Sequence, residues 1–401
     1  MSYVPSDEIL EKYANLLVNY ALGGGTGIKP GEVVQVTVPE CAKPMFVPLR
    51  TAILKAGGHP IMQYIPTDVD MAGYFAQQSN EQLDFFAKDY YKGMIDQIDH
   101  SINIISESDK HELEGVDPKR IMRQLAARHL YRQWRVQKET AGKFTWTLAL
   151  YGTEAMAAEV NMSLEEYWEQ IINACYLDEV DPIAVWTEKA TALERIKDKL
   201  NALKVKKFHV LGEGVDLWVG CGPNRQWLGG GGRNIPSFEI FISPDWRQTE
   251  GTISFNQPLF YLGTLIEGVK LEFKEGKVVF ASATRNEALL KEMIAVENAD
   301  KIGEFSLTDA SFSRITKVMA EVLYDENMGG EQGNTHIALG EAYQDSYTGN
   351  PSTVTDAQWK EWGYNRSAVH TDIISTTKRT VTAHLEDGGE KIIYDNGHFT
   401  V

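Results

Sequence analysis

Residues 208–220 read FHVLGEGVDLWVG, and this stretch decides the fold. Apolar positions recur at every second residue on both sides of a Gly-Glu-Gly break, the pattern of a half-buried strand, a turn and a returning strand. Toward the C-terminus the same grammar continues in SFEIFISP (237–244), GTISFN (251–256), VKLEFKEGKVVFASA (269–283) and HLEDGGEKIIYDNGHFTV (384–401). Gly, Asn and Asp turn signals separate these runs, and one helix is expected near 285–298. An antiparallel, β-rich half follows.

Toward the N-terminus the grammar differs. EVVQVTV (32–38), PIMQYI (60–65), SINIIS (101–106) and FTWTLAL (144–150) alternate with candidate helices at 44–56, 80–87, 118–139 and 163–175. Ser163 with Glu166 three residues on is a capping box that opens the last of these. Strand and helix in alternation predict an open, mainly parallel sheet with helices on its faces. Asp181 to Lys204 reads as a long helix leading out of this half. The expected organisation is an α/β N-terminal domain, residues 1–205, and a mainly antiparallel α+β C-terminal domain, residues 206–401.

The chain of 401 residues, 43% hydrophobic and 24% charged, has the composition of an ordinary globular protein. Chains of this length bury about three quarters of their unfolded surface, so a large core is available. A formal net charge of −17 opposes binding to nucleic acid or anionic membranes. The most basic segments are KVKK (204–207) and KRIMRQLAARHLYRQWR (119–135), and the second reads as a solvated or interdomain helix face rather than a nucleic-acid site. Cys41, Cys175 and Cys221 are too few and too scattered for a disulfide framework or a zinc knuckle. With neither a signal-peptide start nor a long apolar run, a cytoplasmic protein is expected.

Several familiar motifs are missing. HELEG (111–115) lacks the second histidine of HExxH, and there is no GxSxG or Walker A loop. GGGTGIKPG (23–31) precedes a strand instead of following one, which suits a helix cap and turn rather than a dinucleotide loop. LGGGGRNIP (228–236) reads equally as a hairpin connection or as a flap close to a ligand.

Beyond it, three strands carry a misfit. In SFEIFI, alternation sets Phe238, Ile240 and Ile242 against Glu239; in GEFSL (303–307) it sets Phe305 and Leu307 against Glu304 and Ser306. AVHTDII (368–374) places His370 and Asp372 together on one side, and GNTHIALGEAY (333–343) adds His336. Singly, each is an ordinary polar strand residue. Together they supply three carboxylates and two imidazoles. Crowded carboxylates resist ionising unless cations sit between them. Two divalent ions with a bridging hydroxide would balance the charge, and oxygen and nitrogen donors without thiolate suit Zn, Co, Mn or Mg. Such a pair polarises a carbonyl and lowers the pKa of water, the chemistry of amide hydrolysis.

These residues lie in segments that resemble the thermophilic metallo-aminopeptidases of the aminopeptidase T and aminopeptidase S type. The resemblance runs through KPGEVVQV (29–36), NIPSFEIFISPD (234–245), GTISFNQPLFYLGTLIEG (251–268), IGEFSL (302–307), YDEN (324–327), HIALGEAY (336–343) and VHTDII (369–374). It implies a cytoplasmic homodimer that removes N-terminal residues from peptides with a free N-terminus, using two divalent metal ions. It also implies Glu239, Glu304, His336, His370 and Asp372 as the ligands and Tyr343 as the active-site tyrosine. The residues alone leave two rivals: a metal-independent acid/base hydrolase or lyase using His370, Asp372 and Tyr343, and a non-catalytic peptide- or metal-binding protein.

Overall fold

In the computed structural model, which describes residues 3–67, 70–230, 234–262 and 264–401, the chain forms two compact units. The first comprises Met1–Thr187 with Gly231–Pro236, and the second Glu188–Gly230 with Ser237–Val401. The division falls inside the long helix Pro182–Asn201 that the sequence predicts.

The first unit is built on four parallel strands: β1 (Val33–Pro39), β2 (His59–Ile65), β3 (His100–Ile105) and β4 (Thr145–Leu150). Their spatial order is β2-β1-β3-β4, and the short strand Asn234–Ile235 adds in parallel beside β4. Val34, Val36 and Val38 on one face of β1 are fully buried and Gln35 on the other is 6% exposed, as a central strand covered on both faces requires. After β2 the chain crosses back over β1 to lay down β3, so connections leave β1 and β3 in opposite directions. Ligands of open α/β sheets bind outside the carboxyl ends at such a reversal.

Helices occur where periodicity and caps predict them, including Phe46–Lys55 and Leu164–Ala174, the latter opened by the Ser163/Glu166 box. Two expectations need correction. The helix expected at 118–139 is two, Pro118–Ala127 and His129–Thr140, because Arg128 leaves helical geometry. The helix expected at 80–87 ends at Asp84, where Phe85 is already extended. The basic stretch lies on this broken pair, neither of which buries a residue.

The second unit carries an eight-stranded antiparallel sheet that includes both halves of the opening stretch, Val205–Gly212 and Val215–Gly220. A smaller antiparallel sheet contains β5 (Glu239–Ile242), β6 (Ile302–Thr308), β7 (Asn334–Gly340) and β8 (His370–Ser375). Its order is β8-β7-β6-β5, with Leu228–Gly229 beyond β5. One face packs on the large sheet: the Phe305 ring lies 5.7 Å from Phe208, and Ile240, Leu307 and Leu339 are fully buried. Between the sheets sits Arg379, 1% exposed, donating to Thr335 Oγ1 at 2.6 Å and to the Ser254 carbonyl at 2.7 Å. Burial lowers its pKa to about 10, still high enough to keep it protonated at neutral pH.

In the glycine run 228–236, residues 231–233 lie outside the described residues. Gly229 has φ +135°, and a Cβ there would stand 2.2 Å from the Glu239 carbonyl oxygen. Glycine therefore lets this edge strand pair with β5, a structural reason for part of the run.

Candidate metal centre

The other face of the small sheet gathers the misfit residues. Register does the work: Thr308 of β6 pairs with Glu239, Ser306 pairs with both Phe241 and His336, and Ala338 of β7 pairs with Glu304 and Asp372. His370 pairs with Gly340. Side chains of like parity on four neighbouring strands thus point the same way.

All five predicted ligands meet there. His336 Nε2 stands 3.3 Å from Glu239 Oε2, 3.3 Å from Glu304 Oε1 and 3.8 Å from Asp372 Oδ1. His370 Nε2 lies 3.6 Å from Asp372 Oδ1 and 3.8 Å from Glu304 Oε2. Glu239, Glu304 and His336 are 9, 3 and 1% exposed.

Small residues on the floor make room. Ala338, flanked by Glu304 and Asp372, is fully buried, and a longer side chain would occupy the space between the carboxylates. Ala338→Leu is expected to lower divalent-ion affinity at least about tenfold, while overpacking costs only about 1–3 kcal/mol of stability. Calorimetric titration with zinc, beside a thermal melt, checks both.

Supporting contacts orient the donors. His370 Nδ1 lies 2.8 Å from the Glu341 carbonyl oxygen, which places the proton on Nδ1 and leaves Nε2 facing Glu304 and Asp372. Ser306 Oγ donates to Glu239 Oε2 at 3.0 Å. The Glu341 carboxylate accepts from the Ser367 amide and sits 3.4 Å from Arg366 Nε, so it anchors the segment leading into β8.

Tyr343 follows β7 and donates its backbone N–H to Ser243 Oγ at 2.9 Å. Its ring lies 4.7 Å from that of His370 and 5.7 Å from that of Phe241. Burial and the carboxylates of Glu304 and Asp372 push its phenol pKa far above the ordinary value, so the hydroxyl remains a donor.

One participant escaped the sequence reading. Glu326 lies in YDEN, a segment noted only for its resemblance, just past the short helix Val322–Asp325. Burial, then the charges of Glu239 and Asp372, raise its pKa well above the usual carboxylate range. Its neighbour Asn327 fixes it, accepting the Phe238 N–H at 2.6 Å through Oδ1 and donating to the Leu323 carbonyl at 3.0 Å. Asn334 Nδ2 donates to the Glu326 carbonyl at 2.7 Å. The recoverable signal was an acidic residue in a motif adjoining the ligand strands.

The electrostatics call for positive charge. Burial, followed by Glu239 and Asp372, raises Glu304 to about 7 against the pull of His336. Burial disfavours imidazolium at His370, yet Asp372 and Glu304 overcome it and raise this pKa to about 10. His336 is raised likewise by Glu239 and Glu304. Asp372 Oδ1 and His336 Nδ1 are buried with no hydrogen-bond partner among the described residues.

These observations fit a metal. Glu239, Glu304 and His336 each offer a ligand atom, all within 4.8 Å of one another. Ligand atoms about 2.1 Å from an ion stand roughly 3–3.5 Å apart, close to the 3.3 Å spacings here.

Comparison with known proteins agrees with the geometry. The chain is 30% identical over 416 residues to aminopeptidase T of Thermus thermophilus, covering 98% of each. It is 28% identical over 418 residues to aminopeptidase PepS of Streptococcus thermophilus, again covering 98% of each. The solved structure of wild-type AmpT from Thermus thermophilus superposes with a TM-score of 0.82 at 26% identity, covering 98% of this chain and 99% of that one. Residues 6–399 match the family described as thermophilic metalloprotease (M29), and the chain belongs to that family.

Proposed function

We propose that this protein is a metal-dependent aminopeptidase that hydrolyses the N-terminal peptide bond of peptides. The observation that carries the proposal is the convergence of three carboxylates and two imidazoles on one sheet face, in a metalloprotease whose relatives are named aminopeptidases. Glu239, Glu304, His336, His370 and Asp372 would hold two divalent ions, Zn, Co, Mn or Mg. With Glu326 nearby, four carboxylates would offset the charge of two such ions. Ions held there polarise the scissile carbonyl and lower the pKa of water.

The protein's own groups do the rest. Ser306 steadies Glu239, and the Glu341 carbonyl fixes the His370 tautomer. Tyr343, beside His370, donates a hydrogen bond to the oxyanion that develops on the carbonyl. Glu341 is not placed as a general base, because its carboxylate is engaged with Ser367 and Arg366.

The resemblance also carries the expectation of a cytoplasmic homodimer. The activity is tested by incubating the protein with a short peptide and with its N-acetylated form. Stepwise release of free amino acid from the first alone is expected; equal cleavage of both, or internal cleavage, contradicts aminopeptidase action.

A further inference from the structure

The metal-facing side of the small sheet continues one row past the five candidate ligands. Thr308 of β6 stands directly across from Glu239 on one side and from Asn334 of β7 on the other. Thr308 shares the parity of Glu304 and Ser306, and Asn334 that of His336 and Ala338, so both side chains rise on the face that carries the ligands. Both residues are fully buried, and neither belongs to the ligand set.

Three side chains in this corner each keep one polar atom unmatched. Thr308 Oγ1, Asn334 Oδ1 and His336 Nδ1 are buried with no hydrogen-bond partner among the described residues. Their chemistry is complementary. His336 turns Nε2 to Glu239 and Glu304 at 3.3 Å, so as a ligand through Nε2 it carries its ring proton on Nδ1, which is then a donor. Asn334 commits Nδ2 to the Glu326 carbonyl at 2.7 Å, which leaves Oδ1 as an acceptor. The Thr308 hydroxyl can serve either way. The two histidines therefore differ: the Glu341 carbonyl oxygen lies 2.8 Å from His370 Nδ1, whereas the same atom of His336 has no acceptor among the described residues.

Strand spacing and charge select what joins them. Residues two apart on a strand, as Asn334 and His336 are, have Cα atoms about 6.5–7 Å apart. Directly opposed residues, as Thr308 and Asn334 are, have Cβ atoms about 4.5–5.5 Å apart. Such spans exceed one hydrogen bond and suit two in series, each about 2.8–3.0 Å. A cation would meet the Nδ1 proton, and an anion would meet the Asn334 oxygen and the Glu239 carboxylate of the same row. A small neutral molecule that both accepts and donates satisfies all three atoms. Water does this, and buried waters typically make about three bonds to polar groups that otherwise lack partners.

We propose that Thr308 and Asn334 are positioning residues for His336: they hold a buried water that accepts from His336 Nδ1–H, donates to Asn334 Oδ1 and bonds to Thr308 Oγ1, and so fix Nε2 toward the ions. The inference rests on the metal-centre reading and not on the choice of substrate.

Thr308→Val removes the hydroxyl at nearly constant volume, and Thr308→Ser keeps it. Valine is expected to weaken zinc binding in calorimetric titration about ten- to a hundredfold, the usual effect of losing an outer-shell partner, and serine to restore most of the affinity. The visible absorption of the cobalt-loaded protein should shift in the valine variant and not in the serine one, because the imidazole turns when its Nδ1 proton loses its anchor. A crystal structure of the unaltered, zinc-loaded protein decides independently of either variant: a water within hydrogen-bond distance of Thr308 Oγ1, Asn334 Oδ1 and His336 Nδ1 is expected. Unchanged zinc affinity and cobalt absorption in Thr308→Val, or no water bridging these atoms in the crystal, overturns the proposal. An unaltered protein that binds no zinc or cobalt overturns the metal-centre reading itself, and this proposal with it.

Discussion

Glu304→Gln and His336→Ala are each expected to lower kcat at least about a thousandfold, because Lewis-acid stabilisation is worth several kcal/mol and each 1.4 kcal/mol is a factor of ten. The two residues sit at the centre of the cluster, 3.3 Å apart and almost wholly buried. Glutamine keeps the volume of Glu304 but removes a charge and a ligand oxygen. Glu304→Gln should leave the fold intact, because burial, Glu239 and Asp372 all raise the Glu304 pKa and make its charge a cost in the metal-free protein; His336→Ala removes the imidazole that faces three carboxylates and is expected to melt lower. For Glu304→Gln, intact melting with lost turnover is the expected result. Near-normal kcat in Glu304→Gln removes this residue from the centre.

Tyr343→Phe is expected to lower kcat about a hundredfold to a thousandfold, the usual cost of losing one oxyanion donor, with KM little changed. The ring is held by contacts with Phe241 and His370 that phenylalanine retains. The backbone bond to Ser243 is also unaffected. Loss of kcat therefore reports the hydroxyl rather than a disturbed loop. A rise in KM at constant kcat would assign Tyr343 to substrate binding.

Much of this site was legible because a strand obeys a period of two. Phe238, Ile240 and Ile242 pack into the core, and that alone forces Glu239 to the opposite face. The same parity turns Glu304, His336, His370 and Asp372 to that face on their strands. What periodicity cannot supply is register between strands distant in sequence. That Ala338 stands between Glu304 and Asp372 depends on pairings that β6 and β7 make across intervening loops. Glu326 was missed for a related reason: it comes from no strand and reaches the cluster through the bonds of Asn327 and Asn334. In the first unit, alternation of strands and helices predicted the parallel sheet, yet the break at Arg128 is a local backbone choice that the helical pattern of 118–139 does not signal.

The central claim is that this cluster works by holding divalent ions, and the most direct test is metal titration of protein stripped with a chelator. Peptide hydrolysis should vanish on stripping and return with added zinc or cobalt, reaching its plateau at two equivalents bound per chain. Full hydrolysis by the stripped protein, or recovery without stoichiometric binding, would contradict the account and favour metal-independent acid/base chemistry.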